Sequence, residues 1–104
     1  TLKVLIEDKD LINLYTKGKA PRLKLPNDVI DKFFATIQKI EAAVDIHDLW
    51  KSPGLRFKKM KGFANRYSFR LTSKYRLETE ITWLDKAEKT GEILIRTISV
   101  HYGD

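Results

Sequence analysis

Apolar residues recur along this chain with two different spacings, and the change from one to the other divides it. From residue 28 to about residue 44, Val29, Ile30, Phe33, Phe34, Ile37, Ile40 and Val44 repeat at steps of three and four. That is the period of a helix with one apolar face, and Lys32, Gln38, Lys39 and Glu41 fall largely on the other. Asn27 or Asp28 can cap it, and Asp28 and Asp31 sit in its first turn, where the helix dipole favours acids. The spacing predicts a helix over 28–44. Upstream, residues 2–6 are a short apolar, β-branched run and predict a first strand. Asp8 then suits a cap for a second helix carrying Leu11, Ile12, Leu14 and Tyr15, with Lys17 in its last turn and Gly18 ending it. Residues 19–26, punctuated by Pro21 and Pro26, predict a loop. Asp45 to Asp48 offer a further cap and a short turn into Leu49 and Trp50, which Ser52-Pro53-Gly54 stops.

Beyond residue 54 the period falls to two. Leu55 and Phe57 alternate with Arg56 and Lys58, predicting a strand over 55–60. After a turn at 61–65, Tyr67, Phe69 and Leu71 alternate with Ser68, Arg70 and Thr72. A tight turn at 72–74 leads to Tyr75, Leu77, Thr79, Ile81 and Trp83, which alternate with Arg76, Glu78, Glu80 and Thr82. Residues 85–91 are a polar hairpin loop, and 93–100 are β-branched on both faces, as in an interior strand. The predicted order is β-α-α-β-β-β-β. This is an α+β fold in which two to three N-terminal helices pack on one face of a mostly antiparallel sheet, and the other face stays partly open.

Composition narrows this to one domain spanning residues 1–104 with its own core, since 42% of the chain is apolar and 11% aromatic. With no cysteine, a disulfide framework, thiolate metal sites and thiol catalysis are excluded. No apolar run approaches the ~18–20 residues that cross a bilayer. The first residues, Thr1-Leu2-Lys3-Val4, do not form a basic-then-apolar export signal. The expectation is a soluble cytoplasmic protein with no membrane partner.

Charge changes the picture more. The formal net charge is +6 and the pI about 9.6, which favours polyanionic partners. Residues 1–52 carry nine Lys/Arg against eight Asp/Glu, while residues 53–104 carry eleven against six. Within that second half, Arg56, Lys58, Lys59, Lys61, Arg66, Arg70, Lys74 and Arg76 follow one another with no acid between, +8 over residues 55–76. A solvated charged face is the plain reading of such a run. Two features argue for more. The cations fall on successive predicted strands, which can align them into a stripe that tracks a phosphate backbone. Phe57, Phe63, Tyr67, Phe69 and Tyr75 are interleaved with them, and aromatics stack bases, although Phe57 and Phe69 are better read as core.

Other chemistry is sparsely represented. The glycines are scattered and form no phosphate-cradling loop. His47 and His101 lack the paired spacing of metal ligands, so no metal is expected. No serine stands in a nucleophile-elbow motif. An enzyme built on this chain is therefore expected to work without a cofactor. His47 reads as a helix-surface residue, and Trp50 and Trp83 as packing residues.

The segment Pro53-Gly54-Leu55-Arg56-Phe57-Lys58-Lys59-Met60-Lys61-Gly62, the strand Tyr67-Ser68-Phe69-Arg70-Leu71, the opening Tyr75-Arg76-Leu77 and the tail Ser99-Val100-His101-Tyr102-Gly103-Asp104 stand in order at spacings that resemble small bacterial toxins of the RelE/ParE superfamily, in particular the HigB type. The resemblance covers roughly residues 45–104 at the level of motifs and the first half in pattern only. It implies the RelE-like fold and a ribosome-dependent mRNA interferase of a type II toxin–antitoxin system. Such an enzyme cuts translated mRNA in the ribosomal A site by attack of a 2′-hydroxyl on the neighbouring phosphate, without metal. It also implies a cognate helix-turn-helix antitoxin. The tail departs from the family's acid-Tyr-His ending, because His101 precedes Tyr102 and Gly103-Asp104 follow.

Phosphoryl transfer through a crowded anionic transition state asks mainly for fixed positive charge, and Arg supplies it bidentately. Arg76 is the first candidate to hold the scissile phosphate, ahead of Arg56 and Arg70. Lys58 stands where HigB-type proteins often carry His or Lys and joins the catalytic candidates. Arg56, Lys59, Lys61, Arg66, Arg70 and Lys74 are the RNA-binding candidates. His101 and Tyr102 are the acid–base candidates: the His titrates near working pH, and nearby cations lower the Tyr pKa. Structural alternatives stand beside these roles, namely a solvent-exposed edge His101, a Tyr102 packed on the last strand, and an Arg70 paired with Glu78 or Glu80 across a hairpin. Two other functions fit the chain: a ParE-like poison of DNA gyrase, and a non-catalytic RNA-binding module. Clustered cations and the His/Tyr tail speak against the first; the second uses the same cations.

Overall fold

A computed structural model describes residues 2–100. The chain opens with strand β1 (Lys3–Ile6) and helix α1 (Lys9–Lys17). Asp8 caps α1, its carboxylate accepting the Leu11 N–H at 3.0 Å. Gly18 ends the helix in the left-handed region at φ 75°, its N–H bonding the Leu14 carbonyl at 2.9 Å. A 3₁₀ turn at Pro21–Leu23 leads to α2 (Asn27–Ala42).

Helix α2 differs from its expected bounds at both ends. No side chain caps it. Pro26 holds the cap position, its carbonyl accepting the Val29 and Ile30 N–H groups at 3.1 and 3.2 Å. It stops at Ala42 because the Val44 N–H is taken by the Asp48 carboxylate at 2.8 Å, which leaves the Val44 side chain exposed. Helix α3 (Ile46–Trp50) follows, capped as expected by Asp45, which accepts the His47 N–H at 2.9 Å.

The sheet has five strands in the order β1-β5-β4-β3-β2. These are β2 (Lys58–Lys59), β3 (Arg66–Arg70), β4 (Tyr75–Trp83) and β5 (Gly91–Val100). Strand β1 pairs with β5 in parallel, and the other neighbours are antiparallel. Strand β5 is interior, as its β-branched sequence predicts, with β1 on one side and β4 on the other. The strand expected over 55–60 is reduced to two residues. Pro53–Leu55 instead forms a 3₁₀ turn, and Arg56 takes a left-handed conformation at φ 44°. That conformation breaks the extended alternation while keeping both neighbours, Leu55 and Phe57, buried.

The two faces of the sheet differ sharply. Phe69, Leu77, Ile81, Ile93 and Ile95 point to the helices and are buried with Leu11 and Leu14 of α1 and Phe33, Ile37 and Ile40 of α2. Alternation sends their neighbours to the opposite face. The α+β arrangement expected from the sequence, with helices on one side of a mostly antiparallel sheet, is thus the one observed. Register slips once, between Glu78 and Thr79: Glu78 pairs with Thr97 and Thr79 with Ile95. Arg96 is the extra residue: it follows core-facing Ile95 onto the open face, and the bulge brings Thr97 onto the same face beside it. Among the described residues no helix is long and apolar enough to cross a membrane.

Candidate phosphate-binding cleft

Cross-strand register decides which cations meet. Lys58 on β2 faces Ser68 on β3, Ser68 faces Glu78 on β4, and Arg70 faces Arg76. These residues share the open face with Arg66 and Glu80, which face one another two positions further along. Lys59 pairs with Tyr67 and so leaves the edge strand on the other side. Lys61 follows β2 in an exposed turn, and Lys74 lies in the turn between β3 and β4, held by the Thr72 hydroxyl accepting the Lys74 and Tyr75 N–H groups at 3.3 Å each.

Arg76, Lys58 and Arg56 come together. They line one cleft with Pro53 and Phe57, about 440 Å³ in volume, within the ~300–1,000 Å³ usual for small-ligand sites. Each arrives from a different element: Arg76 from the start of β4, Lys58 from β2, Arg56 from the left-handed residue after the 3₁₀ turn. Among the described residues three cations line this cleft and no acid does, a lining whose field favours an anion. Arg76 is 5% exposed although it sits on the open face. Its Nη1 donates to the Ser68 hydroxyl at 3.4 Å, and Ser68 is itself buried. A buried guanidinium with a fixed neighbour is pre-aimed, which a mobile surface lysine is not.

The wall of the cleft is stiff. The Phe57 ring lies 4.7 Å from Phe69, 5.3 Å from Tyr67 and 4.4 Å from Trp50, centroid to centroid. This aromatic cluster anchors the chain on either side of Arg56 and Lys58. Phe57 and Phe69 are core residues, as expected, and Tyr67 joins them. Burial first, and Glu88 second, push the Tyr67 hydroxyl above its ordinary pKa. It therefore stays protonated on the core side and takes no part in the cleft.

The cation run is acid-free in sequence but not in space. Glu80 folds against it, with Oε1 3.5 Å from Arg66 Nε and 3.1 Å from Arg96 Nη1. Arg70 is not the partner of Glu78 or Glu80; it stands opposite Arg76. The sequence reading missed Arg96. Period-two alternation from Ile95 would have suggested the open face for Arg96, but not its meeting with Glu80. His101 and Tyr102 lie outside the described residues, and the last two described positions of β5, Ser99 and Val100, pair with Arg76 and Tyr75. Among the described residues no group of three or more His, Cys, Asp or Glu is placed to hold a metal ion.

No family model and no curated protein matches the chain. Among solved structures, a YoeB/ParE toxin from Agrobacterium tumefaciens superposes with a TM-score of 0.54 at 13% identity, over 97% of this chain and 100% of that one. The five-stranded sheet with its helices on one face is therefore a fold shared with that toxin.

Proposed function

We propose that this chain is the toxin of a type II toxin–antitoxin system, of HigB-like character, and that it cleaves translated mRNA on the ribosome. The observation that carries this reading is the convergence of Arg56, Lys58 and a buried Arg76, bonded to Ser68, on one cleft. The shared fold with a YoeB/ParE toxin supports it. So does the agreement of the cleft with the motifs that resemble HigB-type toxins.

In this mechanism the RNA phosphate enters the cleft and Arg76 clamps its non-bridging oxygens, with Arg56 adding charge. The neighbouring 2′-hydroxyl attacks phosphorus, its proton passing to a base. The P–O5′ bond breaks, the leaving 5′-oxygen receives a proton, and the products are a 2′,3′-cyclic phosphate and a 5′-hydroxyl. Fixed cations favour the pentacovalent transition state over the ground state because charge on the equatorial oxygens grows there. Lys58, also lining the cleft, is assigned to the leaving side, and His101 and Tyr102 are the groups assigned to proton transfer. The partners of this reading are mRNA in the ribosomal A site and a cognate helix-turn-helix antitoxin, in the cytoplasm.

Induction in a bacterium with mapping of mRNA 5′ ends tests it, comparing wild type, Arg76→Ala and Tyr102→Phe. Codon-phased cuts and growth arrest, both lost in Arg76→Ala, are expected. Arrest with DNA damage and no cuts would replace the reading with gyrase poisoning. No arrest and no cuts, with RNA still bound, would leave an RNA-binding module.

A further inference from the structure

Phe63 lies in the turn between β2 and β3 with 49% of its surface in solvent. A cation lies against its ring. The Arg66 guanidinium carbon sits 5.1 Å from its ring centroid. Arg66 is held in turn by Glu80, its Nε 3.5 Å from Oε1, and the same oxygen accepts a hydrogen bond from Arg96 Nη1 at 3.1 Å. One side of the ring is thus backed by a cation, which an anion fixes and a second cation steadies.

A fixed, half-exposed aromatic backed by Arg and set beside cationic strands has the properties of a stacking platform for single-stranded nucleic acid. Every base has a π face, so stacking tolerates any sequence. The guanidinium on the covered side adds cation–π attraction and local positive charge for the backbone. Register gives the spacing. Arg66 faces Glu80 and Arg70 faces Arg76 on the same strand pair. Four residues at ~3.3 Å each separate the Arg66–Glu80 pair from the cleft by about 13 Å. A short stretch of extended single strand bridges that distance.

We propose that Phe63 is a base-stacking platform, positioned by the Arg66–Glu80–Arg96 ion cluster, that holds one base of a single-stranded RNA whose phosphate occupies the Arg56/Lys58/Arg76 cleft. The inference rests on the cleft being a phosphate site, as set out above. It assigns the RNA a direction across the sheet, from the β4 start toward the β2–β3 turn, and gives a non-catalytic residue a role in affinity.

The test is a binding cycle on the full chain at low salt. The probe is a short 2′-O-methyl RNA, which cannot be cleaved, and a set of copies each lacking one base. At one position base removal should weaken wild-type binding about 5- to 100-fold. Phe63→Ala should lose the same factor on intact RNA and nothing more on the matching abasic probe, while Phe63→Tyr should bind as wild type. Arg76→Ala separates the two ideas. If binding falls in Arg76→Ala but Phe63→Ala binds as wild type, or every abasic probe binds equally, the platform is overturned and the phosphate cleft stands. If wild type and Arg76→Ala bind the RNA equally, or neither binds, the cleft reading falls and the platform falls with it.

Discussion

Ser68 Oγ accepts a hydrogen bond from Arg76 Nη1 at 3.4 Å, and both side chains are buried on the side of the sheet that the helices leave open. Ser68 also faces Lys58 and Glu78 across its two neighbouring strands. Its hydroxyl is thus placed in the middle of the open face, where it takes one hydrogen bond from the guanidinium. Removing its hydroxyl leaves the charge of Arg76 intact and loosens only its aim. Ser68→Ala is expected to slow RNA cleavage about 5-fold, the factor that goes with one net hydrogen bond of ~1 kcal/mol. Single-turnover cleavage with unchanged thermal stability is the check. A loss as large as that of Arg76→Ala would mean that Ser68 does more than orient.

Arg56 holds a left-handed backbone at φ 44°, which costs a non-glycine residue roughly 1 kcal/mol. Glycine relieves that strain but loosens the unfolded chain, so Arg56→Gly is expected to raise stability by about 0.5 kcal/mol. The same change removes one of three cations from the cleft, and RNA affinity should fall with a shallower salt dependence. Denaturant unfolding and a salt series read the two effects separately. A variant that is both less stable and equally good at binding would contradict the assignment.

Two glycines separate close packing from simple turn chemistry. At Gly91 an added Cβ would lie 2.6 Å from the Thr82 carbonyl oxygen and 3.3 Å from Ile81 Cγ2. Gly91→Ala must push β5 off β4 and should cost about 1–3 kcal/mol. Gly54, beside the cleft, has nothing within 4 Å of that position. Gly54→Ala should change stability by about 0.5 kcal/mol or less. Paired melting curves decide it.

Much of this was legible along the chain, and the exceptions share one cause. The Asp8 cap, the Gly18 stop and the apolar stripe of α2 are local devices, so their residues name their own structure. The strand over 55–60 was not legible, because the left-handed turn at Arg56 serves the burial of Leu55 and Phe57 in a core assembled from elsewhere. The parallel pairing of β1 with β5 joins strands about ninety residues apart, beyond any local pattern. Within the site, the cations were nameable from their acid-free run. Arg76 and Lys58 were set apart from Lys59, Lys61 and Lys74 by their place in the motifs, but which cations meet depends on register and turn, so it was not legible that Arg56 rather than Arg70 would join them. The capture of Arg66 and of Arg96 by the one Glu80 carboxylate is a fact of three dimensions only.

Asp85 gives the β4–β5 loop an acid-dependent contribution to stability. Its carboxylate accepts the backbone N–H groups of Thr90 at 3.0 Å and Lys89 at 2.9 Å, closing the β4–β5 loop. The Thr90 hydrogen bond foremost, then that of Lys89, holds its pKa below the ordinary 3.8. Since the folded value lies below the unfolded one, ionised Asp85 stabilises the fold above about pH 3.8, and that contribution fades as pH falls through the folded value. Thermal unfolding of wild type and Asp85→Ala from pH 7 to about pH 2.5 should show a gap that closes at the acid end. A gap constant across that range would show that the loop does not depend on the ionised form.

The central claim is that the Arg56/Lys58/Arg76 cleft holds the phosphate at which mRNA is cut. Purified chain added to ribosomes programmed with a defined message, with cleavage followed by primer extension, tests it most directly. Arg76→Ala removes the clamp, and Arg76→Lys keeps the charge but not the fork. Cleavage should fall about 100-fold or more in Arg76→Ala, as when one donor to a developing oxyanion is lost, and should be partly restored in Arg76→Lys, with a folded spectrum for each. A message cut equally by wild type and Arg76→Ala, or left whole by wild type, would contradict the account.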